Sequence, residues 1–145
     1  MNYISFFDFT LGVLPPFWAR WLPRLTAVGF CVFMTLILLA SFAPASTGDI
    51  EDTLGFDDKL AHFLAYAAVM GCGMWAAHSS HLRMRLFIAL VGFSAFIELG
   101  QPLLADGREA SIGDTFANIL GLCFGVGLGN WFLAGLRRLL PRGRS

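Results

Sequence analysis

A carboxylate, an imidazole and a phenol recur at a spacing of four residues in an otherwise apolar segment. Asp58, His62 and Tyr66 occupy positions i, i+4 and i+8, so on a helix they lie along one face. Lys59 follows the first of them. Ionisable groups are costly in lipid, and a row of them normally faces a protein interior and marks a site. These residues are therefore the first candidates for chemistry.

Further polar residues follow in the second half of the chain. Glu98 and Gln101 are three residues apart and share a helical face. A short loop then supplies Arg108 and Ser111. Asp114 opens the next apolar segment, where the helix dipole favours an acidic residue, and one turn later comes a carboxamide, Asn118.

The composition indicates that lipid is the solvent for much of this chain. Of its 145 residues 57% are hydrophobic and only 14% are charged, and the mean hydropathy is +0.68. Soluble domains are normally about a quarter charged. The length allows one domain. Because the formal net charge is zero and the basic residues form no stripe, we expect no nucleic-acid partner.

The three cysteines, Cys31, Cys72 and Cys123, all lie in apolar segments. Their number is odd and their spacing is not that of a metal site, so we interpret them as small hydrophobic residues without a disulfide or metal role.

Four apolar segments approach the length of about 20 residues that a membrane span requires. They cover roughly residues 25–43, 60–77, 86–104 and 115–136. Short connections favour antiparallel neighbours in one bundle, and the alternating pattern of a β-barrel is missing. The predicted fold is all-α, a polytopic bundle of four transmembrane helices within residues 25–136.

The basic residues predict the orientation of this bundle. Eight of the ten fall before the first span, between the second and third, or after the fourth: Arg20, Arg24, Arg83, Arg85, Arg137, Arg138, Arg142 and Arg144. The positive-inside rule places those regions, and hence both termini, in the cytoplasm. Most acidic residues fall on the opposite side.

The two ends of the chain are interpreted separately. Aromatic residues in 1–24 alternate with Pro15, Pro16 and Pro23, which predicts an interfacial segment on the inner leaflet without a continuous helix; a re-entrant fifth span is the alternative. Residues 137–145 form a basic cytoplasmic tail.

The small residues around Pro44 have the form of a signal-peptide cleavage site. However, the apolar run before them has about 19 residues, which is longer than a typical signal-peptide core, and a long aromatic stretch precedes it. We therefore favour a retained helix over a cleaved signal peptide.

Several motifs, in this order, resemble those of the VanZ-like family: Asp58-Lys59-x-x-His62-Phe63-x-x-Tyr66, Glu98-x-x-Gln101, Arg108 and Asp114-x-x-x-Asn118-x-x-Gly121. The resemblance covers about residues 25–136 and implies a multi-pass protein of the bacterial plasma membrane. The family's namesake is associated with low-level resistance to teicoplanin, a glycopeptide antibiotic. The resemblance supplies no reaction.

On an antiparallel bundle these polar residues should converge at the outer leaflet. We expect them to bind a polar or lipid-linked ligand of the cell envelope. Histidine is the usual acid or base near neutral pH, so we expect His62 to be the catalytic residue, with Glu98 to orient it. Arg108 would hold an anionic group in bidentate fashion. The other expected ligand-binding residues are Asp58, Lys59, Tyr66, Gln101, Ser111, Asp114 and Asn118.

Other functions remain open. The chain could be a membrane-embedded hydrolase or transferase acting on a phosphorylated lipid, with His62 as acid or base. It could also be a non-catalytic scaffold or accessory subunit in which the polar residues only join helices. A metal site at Asp58, His62, Glu98 and Asp114 would have a single histidine and no closed ligand motif, so we assign no metal and no cofactor.

Gly121, Gly125 and Gly129 form a stripe of small residues along the fourth segment. Such a stripe lets another helix approach closely. We expect it to pack within the bundle, with homo-oligomerisation as the alternative.

Overall fold

The computed structural model describes residues 16–42, 58–77, 79–104 and 109–139. Four α-helices run through them: α1 Pro16–Ser41, α2 Asp58–Ala76, α3 Ser80–Leu104 and α4 Ile112–Leu139. The predicted all-helical class is confirmed for this part of the chain. Residues 1–15, Arg108 and the tail from residue 140 lie outside the described residues, so the roles predicted for them stay predictions.

The first helix begins earlier than the sequence predicted. We expected Pro16 and Pro23 to prevent a continuous helix before residue 25, but α1 begins at Pro16 and has Pro23 inside it. Proline suits a first helical position, where the missing N–H would have no partner. Pro23 removes one backbone bond, and apolar helices in lipid tolerate such a loss. The prediction that residues 16–24 form no continuous helix was wrong, and their interfacial position stays a prediction.

Three of the four helices are long and apolar enough to cross a membrane. The qualifying segments are Arg20–Ser41, Ser80–Leu104 and Ile112–Phe132. The remaining helix, α2, has 19 residues and begins with Asp58 and Lys59, followed by His62 in its second turn. These polar groups lower the mean hydropathy of α2. By length and composition, the described helices therefore include three candidate spans, and α2 is not one of them.

The helix α2 is the centre of the packing. It contacts α4 along most of its length and α1 along its other side, whereas α3 packs mainly on α4. The stripe glycines lie against α2: a Cβ on Gly121 would meet the Phe63 carbonyl, one on Gly125 would lie 2.7 Å from the Ala67 carbonyl, and Gly129 faces Met74. Because these contacts proceed in the same order along both helices, α2 and α4 run parallel.

The other two helices run in the opposite direction. Gly29 of α1 lies near Cys72, and residues at the end of α1 line the same groove as residues at the start of α2. The last turns of α1 and α3 are joined by a hydrogen bond from Gln101 Nε2 to the Ser41 carbonyl, 3.2 Å. The bundle therefore places the ends of α1 and α3 beside the beginnings of α2 and α4.

Large apolar side chains cover the outside of the bundle. Leu99 and Leu103 of α3 are 72% and 83% exposed, and Phe116 of α4 is 63% exposed. The buried core is small and lies around α2, with Val69, Met70, Met74 and Leu122 at its centre. Soluble proteins rarely expose apolar surface on this scale, so the outer faces of these helices are suited to hydrocarbon.

Candidate functional site

Polar side chains are concentrated at one end of the bundle, where α2 and α4 begin and α1 and α3 end. We call the following group the polar cluster: Asp58, His62, Tyr66, Ser94, Glu98, Gln101, Asp114 and Asn118. Most of its members are buried, with Tyr66, Ser94, Glu98, Gln101, Asp114 and Asn118 each at most 8% exposed. With the exception of Lys59, the structure thus brings together the described polar residues that the sequence singled out on α2, α3 and α4.

A chain of hydrogen bonds joins three helices through Asn118. His62 Nδ1 lies 3.0 Å from Asn118 Oδ1, and Asn118 Nδ2 donates to Ser94 Oγ at 2.9 Å. Because the carboxamide oxygen only accepts, His62 must donate from Nδ1. In the neutral imidazole, Nε2 is then the unprotonated nitrogen.

The second nitrogen of His62 faces an acid. His62 Nε2 lies 3.6 Å from Asp58 Oδ1, one turn earlier on α2. The His62 side chain is 13% exposed and that of Asp58 is 40% exposed, so this pair is the most accessible part of the cluster. The imidazole is oriented on its buried side by Asn118 and remains accessible on the other.

Two carboxylates lie deeper in the cluster. Glu98 Oε2 accepts a hydrogen bond from the backbone N–H of Ser111, 3.1 Å, which links α3 to the start of α4. Glu98 Oε1 and Asp114 Oδ1 are buried and have no hydrogen-bond partner among the described residues. Buried polar atoms nearly always have a partner, so these two oxygens are available to a bound group.

Ser111 acts as the N-cap of α4. Its hydroxyl accepts from the Asp114 backbone N–H at 3.2 Å, and its carbonyl accepts from Thr115. This is the usual role of serine immediately before a helix, because it satisfies a backbone donor that lacks a partner within the helix. The structure therefore gives Ser111, expected to bind ligand, a capping function.

The remaining predicted residues have varied positions. Tyr66 is buried near Ser94 and Glu98. Lys59 is exposed, and its aliphatic carbons lie against Gly113 at the start of α4. Arg108, expected to bind an anion, lies outside the described residues.

A groove between α1 and α2 opens beside the polar cluster. It has a volume of about 560 Å³. Its walls are mainly apolar, and three of its lining residues, Asp58, His62 and Tyr66, belong to the polar cluster. The full lining is Phe33, Leu36, Ile37, Ala40, Ser41, Asp58, Ala61, His62, Leu64, Ala65, Tyr66 and Ala68. An apolar channel that reaches acidic and imidazole groups suits an amphiphilic molecule.

Two features of this site were not identified from the sequence. Ser94 shares a helical face with Glu98 and Gln101, at i, i+4 and i+7, and that spacing could have revealed it. The hydrogen-bond partner of His62 could not be predicted from the spacing of residues within one helix. Glu98 was expected to orient His62, but among the described residues it makes no hydrogen bond to the imidazole, and Asn118 holds it instead.

Comparison of the chain with family models, curated proteins and solved structures finds no match. The resemblance to the VanZ-like family, inferred from the motifs in residues 58–66, 98–101, 108 and 114–121, therefore stays a prediction.

Proposed function

We propose that this chain is a bacterial plasma-membrane protein that binds a polar or lipid-linked molecule of the cell envelope at the outer end of its helix bundle. The observation that carries the proposal is the α1–α2 groove, which is lined mainly by apolar side chains and also by Asp58 and His62 of the polar cluster. A hydrocarbon chain would lie in the groove, and a polar headgroup would contact the cluster.

The proposal includes four membrane spans with both termini in the cytoplasm. Support for the fourth span comes from packing, because α2 lies parallel to α4 and fits against its glycine stripe at Gly121, Gly125 and Gly129. If α4 crosses the bilayer, α2 is held at the same depth. Arg20, Arg24, Arg83 and Arg85 lie at the helix ends opposite the polar cluster, in agreement with the positive-inside rule.

The likeness to the VanZ-like family adds a phenotype to this proposal. It implies that the ligand belongs to the cell envelope and that expression of the chain changes susceptibility to teicoplanin. The measurement is the inhibitory concentration of teicoplanin in a susceptible bacterium that carries either the wild-type chain or an empty vector. Equal inhibitory concentrations for the two strains would show that the chain confers no teicoplanin resistance. They would not contradict lipid binding, which has its own test.

The binding proposal is tested by filling the groove. Ala40 lines it from α1 and is exposed, so Ala40→Phe places a ring in the groove with little change to the core. Ala27 is also exposed on α1 but does not line this groove, so Ala27→Phe is the matched control. Native mass spectrometry of the purified proteins should show a co-purifying lipid on the wild type and on Ala27→Phe, and much less on Ala40→Phe.

If all three proteins carry the same lipid in the same amount, the groove is not the binding site. If none carries a lipid after gentle extraction, the chain is better interpreted as a scaffold whose polar cluster joins helices.

The second candidate function is a lipid hydrolase or transferase. The observation in its favour is the imidazole of His62, which is oriented through Nδ1 and borders the groove with Nε2 accessible. A general base needs such orientation and access. His62→Gln should then abolish turnover of a phosphorylated lipid while the co-purifying lipid is retained. If His62→Gln loses both the turnover and the co-purifying lipid, His62 instead contributes to lipid binding.

A further inference from the structure

We infer that Asp58, His62 and Asp114 form a binding site for a divalent transition-metal ion. One ligand atom from each of these residues lies within 4.8 Å of the other two. Ligand atoms around a single zinc ion, at about 2.0–2.2 Å from it, are roughly 3–4 Å apart. The Asp58 Oδ1 atom already lies 3.6 Å from His62 Nε2, and the Asp58 side chain is 40% exposed, so only a small contraction of the group would be needed. The sequence showed no closed motif because the third ligand is on another helix.

The histidine is prepared for metal binding. Its Nδ1 donates to Asn118 Oδ1, which leaves Nε2 as the nitrogen that faces Asp58. A metal-binding histidine almost always donates its other N–H to a carboxylate, a carbonyl or water, and this bond fixes the ring and its tautomer. Asn118 is 1% exposed and is itself held by Ser94, so the orientation of the imidazole is set before any ion binds.

An independent observation comes from Asp114. This residue is only 8% exposed, and its Oδ1 has no hydrogen-bond partner among the described residues. Leaving a charged oxygen buried without a partner is costly. The same carboxylate supplies a ligand atom to the group defined above. A bound cation is the partner that satisfies this oxygen.

The charge of the cluster favours a cation as well. The Glu98 carboxyl group interacts electrostatically with Asp58, with Asp114 and with the imidazole of His62. Carboxylates at this separation repel in a medium of low dielectric constant, and a divalent ion offsets that repulsion.

The ligand set indicates the type of ion. Calcium and magnesium prefer oxygen ligands only, whereas an imidazole nitrogen with carboxylates suits zinc or manganese. Three protein ligands leave at least one position for water or for a bound molecule, as in catalytic rather than structural zinc sites. Asp58 and His62 also line the groove, but all three ligands belong to this chain, so the metal site does not require a lipid to be bound.

The test uses the full chain purified in detergent, stripped with a chelator and titrated with Zn²⁺ and with Mn²⁺ by calorimetry. The wild type should bind one ion per chain. Asp114→Asn and His62→Gln should each weaken binding by at least about tenfold, because each removes a ligand. Matched controls are Glu109→Gln, which also converts a carboxylate to a carboxamide, and His81→Gln; both residues are exposed and lie outside the group. Both should bind like the wild type.

A variant that is expected to bind the ion more tightly distinguishes the loss of a ligand from misfolding. Asn118→Asp still accepts from His62 Nδ1, and a carboxylate there makes the imidazole a stronger ligand. It should therefore bind the ion more tightly than the wild type. Circular dichroism of the stripped proteins checks that each variant is folded. The inference is overturned if neither ion binds to the wild type, or if folded Asp114→Asn and His62→Gln bind as tightly as the controls.

Discussion

Asn118 connects α2, α3 and α4 with one carboxamide, accepting from His62 and donating to Ser94. It is 1% exposed, so neither bond can be exchanged for one to water. The residue thus has two functions, because it joins the helices of the bundle and fixes the imidazole that faces the groove.

Replacing Asn118 with leucine should destabilise the protein. Leucine has a similar size but leaves His62 Nδ1 and Ser94 Oγ without a partner, a loss worth about 1–3 kcal/mol. The matched control is Asn130→Leu, at an exposed position on the same helix. Thermal unfolding in detergent should show a lower midpoint for Asn118→Leu only. Equal midpoints for the two variants would contradict a structural role for these bonds.

Much of the site at the residue scale could be predicted from helical spacing. The positions of Asp58, His62 and Tyr66 on one face of α2, and of Glu98 and Gln101 on one face of α3, follow from the 3.6-residue period. Spacing within one helix does not determine how that helix is rotated against its neighbours. For this reason the bond between His62 and Asn118 required the structure.

At the scale of elements, the contact between α2 and α4 organises the bundle. Helices in lipid have no hydrophobic force between them and associate through close packing and interhelical hydrogen bonds. Gly125 permits this approach: a Cβ there would lie 2.7 Å from the Ala67 carbonyl oxygen and 3.2 Å from the Gly71 backbone nitrogen. Backbone atoms on a packed helix cannot move aside as a flexible side chain can.

Gly125→Ala should therefore separate α2 from α4. Overpacking of this kind typically costs about 1–3 kcal/mol. Gly127 lies on the same helix, and a methyl group added to it would meet nothing within 4 Å, so Gly127→Ala should be neutral or stabilising and serves as the matched control. Unfolding of both variants is followed by circular dichroism during titration with a denaturing detergent. Similar behaviour of the two would show that the close approach is unimportant for stability.

The helix boundaries show where hydropathy alone is insufficient. Hydropathy predicted that the spans begin at about residues 25, 60, 86 and 115, but α1 begins at Pro16 and α3 at Ser80. Helix ends depend on local hydrogen bonds as well as on apolar residues. The Ser79 hydroxyl accepts from the Leu82 N–H at 3.1 Å and so starts α3 before its apolar run.

The glycine stripe was expected to pack within the bundle, and it lies against α2; self-association through it stays a prediction.

At the scale of the whole molecule, the two ends of the bundle differ in chemistry. The polar cluster lies at one end, and Arg20, Arg24, Arg83 and Arg85 lie at the other. Arg83 Nε donates to the Ala77 carbonyl at 3.2 Å, which caps α2 at the basic end. The apolar outer faces of α1, α3 and α4 lie between these two ends, as expected for a bundle that spans a bilayer.

The arrangement of the whole chain in the membrane depends on whether α2 crosses it, and two topologies make opposite predictions. With four spans, residue 79 and the C-terminus are cytoplasmic and residue 110 is external. With three spans and the same N-terminal orientation, each of these three positions is reversed.

Alkaline phosphatase is active only outside the cytoplasm, so fusions after residues 79, 110 and 145 should be inactive, active and inactive. A fusion after residue 52 is external in both topologies and serves as the positive control. We expect the four-span pattern because α2 packs along the glycine stripe of α4 and because only this topology keeps Arg83 and Arg85 in the cytoplasm. Activity after residue 79 or 145 would show that α2 lies outside the bilayer, and the polar cluster at its N-terminus could then not face the outer leaflet from within the membrane.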